Sequence, residues 1–123
     1  MARAIGIGGI FLKARDPKAL GAWYRDNLGL PIEEWGGAVL PFKEDPTPRD
    51  KGYAVWSLFA ESSKHFAGPC MVNFRVDDLD ALLAQLRAAG CAVDEKTSDD
   101  DYGRFGWVTD PEGNRVELWQ PKL

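Results

Sequence analysis

The chain has 123 residues, 45% of them hydrophobic, a size at which one domain buries a real core without disulfides or structural metals. Lys and Arg total 15 against 19 Asp and Glu, for a net charge of -4 with no basic run, which argues against nucleic acid and anionic membrane surfaces as partners. No apolar stretch approaches the roughly 20 residues of a membrane helix, and "MARAIGIGG" lacks the apolar region of a signal peptide, so a cytoplasmic protein is expected. Cys70 and Cys91 are isolated; they form neither a disulfide framework nor a CxxC metal site, and are expected to be buried thiols of a reduced compartment.

In chain order, "IGIGGIFLKA" reads as a strand and "RDPKALGAWYRDNLG" as a helix. Asp16 is the expected N-cap, Pro17 takes the first helical position, and Gly29 closes the helix. Leu20, Trp23, Tyr24 and Leu28 recur at helical spacing and form the expected apolar stripe, which places Trp23 in the core. Strands are expected around "PIEEW", "AVLPF" and "YAVWSLF", with the charged, proline-bearing "KEDPTPRDKG" as a surface loop before the last of them.

From residue 70 the plan restarts. "CMVNFRV" reads as a strand and "DDLDALLAQLRAAG" as a helix, capped by Asp78 and striped by Leu79, Leu82, Leu83 and Leu86 up to Gly90. "AVDEKTS", "GRFGWVTD" and "RVELWQ" supply three further strands, the last two joined by Asp110, Pro111, Glu112 and Gly113, which suit a type I turn. Placing Asp16 on Asp78 sets an offset of 62 residues and brings Ala19-Leu20 onto Ala81-Leu82. The expected fold is therefore α+β: two βαβββ modules, about 1–62 and 63–123, forming a half-open mixed-sheet cup within a single domain, with the helices on its outer face.

Strand alternation sorts the side chains. Ile10, Leu12 and Ala14, then Val72, Phe74 and Val76, then Val116 and Leu118 are expected to face the helices. Gly9, Phe11 and Lys13, then Met71, Asn73 and Arg75, then Arg115, Glu117 and Trp119 are left on the inside. That inner face is mixed polar and aromatic, which suits a small-molecule cavity. The facing of Trp56 stays open, since Tyr53, Val55, Ser57 and Phe59 form an equally good inward set. Trp107 and Trp119 are the better platforms for a flat ligand.

"DPEGNRVELW", "NFRVDDLDALLAQLRAAG" and "GIFLKARDPKALGAWYRDNLGL" together resemble the vicinal oxygen chelate superfamily, which includes glyoxalases, extradiol dioxygenases, fosfomycin resistance enzymes and bleomycin resistance proteins. The resemblance implies paired modules and, in the enzymes, a divalent metal held by inward residues of the first, fourth, fifth and eighth strands. Histidine is usual on the first and fifth strands and glutamate on the eighth. The eighth-strand ligand falls on Glu117, but the first-strand position is Gly9 and the fifth is Met71. "YAVWSLF" offers no His, Glu, Asp or Gln on the fourth. One carboxylate does not hold a first-row divalent ion against water, so no cofactor and no divalent metal are expected.

Three roles stay open for Glu117: a metal ligand completed from elsewhere, an ion pair with Arg115 or Arg75, or a hydrogen-bonding group or general base facing a ligand. Arg75, Lys13 and Asn73 either converge on an anionic ligand or line a wet sheet face. His65, the one histidine, sits in the polar "ESSKHFAGP" and reads as a loop residue. "GIGGIF" lies inside a strand and does not open a helix, so it is no phosphate loop. The resulting expectation is a cytoplasmic, metal-free protein, which the resemblance implies is a homodimer, that binds a small aromatic or anionic organic molecule through Phe11, Lys13, Met71, Asn73, Arg75, Trp107, Arg115, Glu117 and Trp119. The alternative is a lyase, isomerase or dioxygenase of the same superfamily, with an atypical metal site or Glu117 as its base.

Overall fold

The computed structural model describes residues 1–41 and 53–122, apart from the side chains of Asn27 and Leu28. The loop expected over 43–52 lies outside the described residues. Within them the order is β1 (Ala4–Ala14), α1 (Pro17–Leu28), β2 (Gly37–Pro41), β3 (Tyr53–Ala60), β4 (Cys70–Val76), α2 (Leu79–Ala88), β5 (Ala92–Val93), β6 (Ser98–Asp100), β7 (Gly103–Thr109) and β8 (Arg115–Pro121). Pairing is both parallel and antiparallel, and the α+β class is the one observed. The chain divides into two compact units, Gly9–Cys70, and Met1–Gly8 with Met71–Leu123. No described helix is long and apolar enough to cross a membrane.

In the first unit, Gly9–Ala14 of β1 run parallel to Val55–Ala60 of β3, and β2 pairs antiparallel with β3. Asp16 accepts the Ala19 N–H at 3.0 Å, Pro17 opens α1, and Gly29 closes it in the left-handed region at φ 69°. α1 packs on the β3 face that carries Trp56 and Leu58: the Tyr24 and Trp56 ring centroids are 4.6 Å apart, and a Cβ on Gly21 would touch Leu58 at 3.8 Å. This settles the facing of β3. Val55, Ser57 and Phe59 lie on the opposite side with Phe11, whose ring is 5.4 Å from that of Phe59.

Two expectations for this unit are corrected. Trp23 is 51% exposed and is not a core residue; one residue turns a helix by about 100°, so with Tyr24 against the sheet, Trp23 is carried to the margin. "PIEEW" forms no strand. Pro31 has no N–H to give to a ladder, and Glu33 to Gly36 close a tight turn in which the Gly36 N–H meets the Glu33 carbonyl at 3.0 Å with Gly36 at φ 98°.

In the second unit, β4 runs parallel to β8, β8 pairs antiparallel with β7, and β7 also pairs with β5 and β6. Asp78 accepts the Ala81 N–H at 3.1 Å, so both helices begin with the same cap at the 62-residue offset. Leu79 and Leu83 of α2 are buried with Val76 and Leu118, and Phe74, Leu82, Leu86, Val93, Val108 and Val116 pack around them. Each such buried side chain contributes about 1.5–3 kcal/mol. Arg104 of β7 pairs with Asp80 of α2 at 2.6 Å, which holds that carboxyl below its ordinary range through the guanidinium hydrogen bond.

The single strand expected over 92–98 is two short ones, β5 and β6, because the charged Asp94, Glu95 and Lys96 between them break the apolar alternation. Cys70 and Cys91 are exposed, not buried: the first opens a strand, and the second follows the Gly90 turn at φ 81°. The start of the chain is tied to this unit, since Ala2 and the Gln85 side chain exchange two hydrogen bonds of 3.0 Å and the Arg3 N–H reaches Asp77 at 3.0 Å.

Candidate functional site

β8 lies between β4 and β7, and its register places Asn73 beside Glu117 on one flank and Trp107 beside it on the other. Side chains alternate along a strand, so with Val116 and Leu118 committed to the α2 core, Glu117 points to the opposite face. All three members of this row are buried: Asn73 is 1%, Glu117 3% and Trp107 8% exposed. Asn73 Nδ2 donates to Glu117 Oε1 at 2.7 Å, and Trp107 Nε1 donates to Glu117 Oε2 at 2.9 Å. A buried carboxylate thus has a donor on each oxygen, the arrangement that offsets loss of water from the charged form.

The orientation of Asn73 follows from the carboxylate. An ionised carboxylate only accepts, so a reversed amide would set oxygen against oxygen. In the observed orientation Asn73 Oδ1 is buried without a hydrogen-bond partner. That costs about 1–3 kcal/mol, which a hydrogen bond to a charged group, worth about 1.5–3 kcal/mol, offsets.

Two further rows flank the first on the same face. Toward the end of β8, Trp119 has Arg75 and Phe105 as register partners; the Arg75 guanidinium lies 5.1 Å over its ring, Phe105 is parallel to it at 5.9 Å, and its indole N–H meets the Tyr102 carbonyl at 2.9 Å. Toward the start of β8, Arg115 lies 5.1 Å over Trp107 and pairs with Asp94 at 3.0 Å. Arg115 Nε is buried without a hydrogen-bond partner. Met71, two residues before Asn73 on β4, is 2% exposed.

The turn that aims β8 is held by Asp110. Its carboxylate accepts the backbone N–H groups of Glu112 and Asn114, each at 2.9 Å, and the Asn114 side-chain amide at 2.8 Å. These bonds, the Asn114 side chain first, hold the Asp110 carboxyl below its ordinary range. The Gly113 N–H returns to the Asp110 carbonyl at 3.0 Å, as expected of a type I turn.

Of the residues singled out in the sequence, Met71, Asn73, Arg75, Trp107, Arg115, Glu117 and Trp119 share this face of the second unit. Phe11 and Lys13 belong to the first unit. There Lys13 Nζ lies 5.1 Å from the Phe66 centroid, and Phe59 stacks in parallel on His65 at 5.4 Å. Sequence reasoning passed over Phe105, whose signal was its place two residues before Trp107, and Gly8, whose neighbours only the fold reveals.

At the first-strand position where the resemblance puts histidine, a Cβ on Gly9 would overlap the Val55 carbonyl and lie 3.0 Å from the Phe11 ring. The fifth-strand position carries the thioether of Met71. Among the described residues, no group of three or more His, Cys, Asp and Glu is placed to hold a metal ion.

A family model described as "Glyoxalase-like domain" matches residues 9–119. Among solved structures, methylmalonyl-CoA epimerase from Mycobacterium tuberculosis is similar at 24% identity and TM-score 0.69, covering 98% of this chain and 90% of that one. A Streptomyces coelicolor methylmalonyl-CoA epimerase variant in complex with 2-nitronate-propionyl-CoA is similar at 22% identity and TM-score 0.73, covering 98% and 100%. A glyoxalase/bleomycin resistance protein/dioxygenase superfamily member from Vibrio splendidus 12B01 is similar at 13% identity and TM-score 0.57, covering 98% and 99%. At these identities the likeness is one of fold. Among curated proteins, no sequence matches the chain.

Proposed function

The chain belongs to the glyoxalase-like domain family, and from that premise we propose that it binds a small organic molecule, without a divalent metal, on the sheet face centred on Glu117. The observation that carries this reading is the buried row of Asn73, Glu117 and Trp107, in which both carboxylate oxygens already accept N–H donors. Fixed in this way, the carboxylate is an acceptor of set direction, which a ligand hydroxyl or amino group would meet. The indoles of Trp107 and Trp119, backed by Arg115 and Arg75, suit a flat aromatic body or an anionic group.

Metal independence is supported by the donor set. Glycine and methionine stand at two ligand positions of the metal enzymes, and a Cβ on Gly9 has no room beside the Val55 carbonyl. Thioether sulfur is a soft ligand suited to monovalent copper, not to the hard or borderline divalent ions. The exposed free thiols of Cys70 and Cys91 support a reducing, cytoplasmic setting, and the family resemblance supports a homodimer.

The test has two arms. Elemental analysis of protein purified without chelators or metal-affinity steps is expected to find no stoichiometric zinc, iron, manganese or nickel; an ion lost on Glu117→Gln would overturn metal independence. A thermal-shift screen of aromatic and anionic compounds is expected to yield stabilisers whose effect weakens in Arg75→Ala or Glu117→Ala. No response across both libraries would overturn the binding function.

A further inference from the structure

We propose that Gly8 is a positioning residue for Glu117 and acts on it through Asn73; this rests on the reading of Glu117 as the carboxylate that meets the ligand. Gly8 is one of the glycines of "GIGGIF". Its φ is not positive, so its backbone would accept any residue and only space explains the glycine. A Cβ built on Gly8 would overlap Asn73 Oδ1, and would lie 3.0 Å from both Asn73 Cγ and Trp119 Cε3. The amide of Asn73 therefore points its oxygen at Gly8, with its nitrogen 2.7 Å from Glu117.

This contact explains how a buried, unpartnered amide oxygen persists. The oxygen has no hydrogen-bond partner, and the geometry is kept because the amide nitrogen serves the carboxylate. Any side chain at position 8 forces the amide aside, so Glu117 loses its Asn73 donor and keeps the one from Trp107. Gly6, on the same strand, has nothing within 4 Å of a built Cβ and provides the internal control.

The experiment compares Gly8→Ala, Asn73→Ala, the Gly8→Ala/Asn73→Ala double variant and Gly6→Ala, by urea denaturation and by the Trp107 indole ¹H–¹⁵N resonance, assigned with Trp107→Phe. Gly8→Ala is expected to lower the folded-to-unfolded ratio by roughly tenfold or more, with Gly6→Ala near wild type. Most of that loss should vanish in the Asn73→Ala background, where the amide oxygen is gone; coupled neighbours give such non-additive cycles. The Trp107 resonance should move in Gly8→Ala and Asn73→Ala alike and stay in place in Gly6→Ala. An additive cycle, or an unmoved Trp107 resonance in folded Gly8→Ala, would overturn the proposal. Should Gly8→Ala fail to fold, a folded double variant supports the proposal and an unfolded one overturns it. No ligand enters these measurements, so a failed compound screen and a failed cycle are separate results.

Discussion

Asn73 donates its side-chain amide to Glu117 across 2.7 Å, although the two residues are 44 positions apart and lie on different strands. They are register partners on parallel strands, which is why two polar side chains meet in a buried layer. The partnership makes Glu117 a fixed acceptor, and its consequences are measurable.

Trp107→Phe keeps an aromatic ring at the position but trims the buried indole and removes its N–H donor to Glu117. A hydrogen bond to a charged group is worth about 1.5–3 kcal/mol, and urea denaturation should show a loss of that size. Asn73→Leu/Glu117→Leu should cost less than the sum of its single variants, because removing both partners leaves no buried charge unsatisfied. A Trp107→Phe protein as stable as wild type would show that the indole bond contributes nothing.

The matched caps predict matched costs. Asp16→Ala and Asp78→Ala each remove a carboxylate that accepts an N–H three residues on, at 3.0 Å and 3.1 Å. Each should lower stability by about 0.5–2 kcal/mol. Their effects should add, since the caps lie on different helices in different units; chemical denaturation of the pair and of the double variant checks both statements.

Leu83 is 3% exposed and packs with Leu79, Val76 and Leu118. Leu83→Ala should therefore cost about 2–5 kcal/mol, the range for a leucine deleted from a packed core. Leu82, on the rim of the same cluster, should cost less when truncated. Equal losses at the two positions would contradict the observed division between core and rim.

Asp110 gives a pH dependence of known sign. The Asn114 side chain and nearby backbone N–H groups hold its carboxyl below the ordinary value, so the folded state favours the charged form. That contribution is complete above the unfolded carboxylate value of about 4 and disappears as pH falls through the lower folded value. Asn114→Ala should therefore lower the thermal midpoint at pH 7 and lose its effect as pH falls through the folded value of the Asp110 carboxyl. A difference that persists undiminished in acid would exclude this linkage.

Much of this molecule is legible in its residues because the signals are local. Asp16 with Pro17, and Asp78 with its leucine stripe, specify helix starts that depend on neighbours three or four positions away. The alternation in "CMVNFRV" and "RVELWQ" separates a helix-facing apolar set from the set that contains Asn73 and Glu117. Periodicity alone sufficed there, because one buried face constrains every second residue of a strand.

The partners across strands were not legible, since they depend on register and on what lies over each face. The side chain of Arg115 lies on Trp107 and pairs with Asp94, and the oxygens of Glu117 accept from an amide and an indole. Trp23 matched the helical stripe, yet it lies at its edge, because the stripe's width is set by the sheet beneath it. Gly8 looked like one glycine among several, and only the approach of Asn73 distinguishes it from Gly6. Sequence by itself determined both helices, the longer strands and which side chains of β4 and β8 share a face; tertiary structure alone decided which of them touch, because contacts across strands are fixed by packing between segments far apart in the chain.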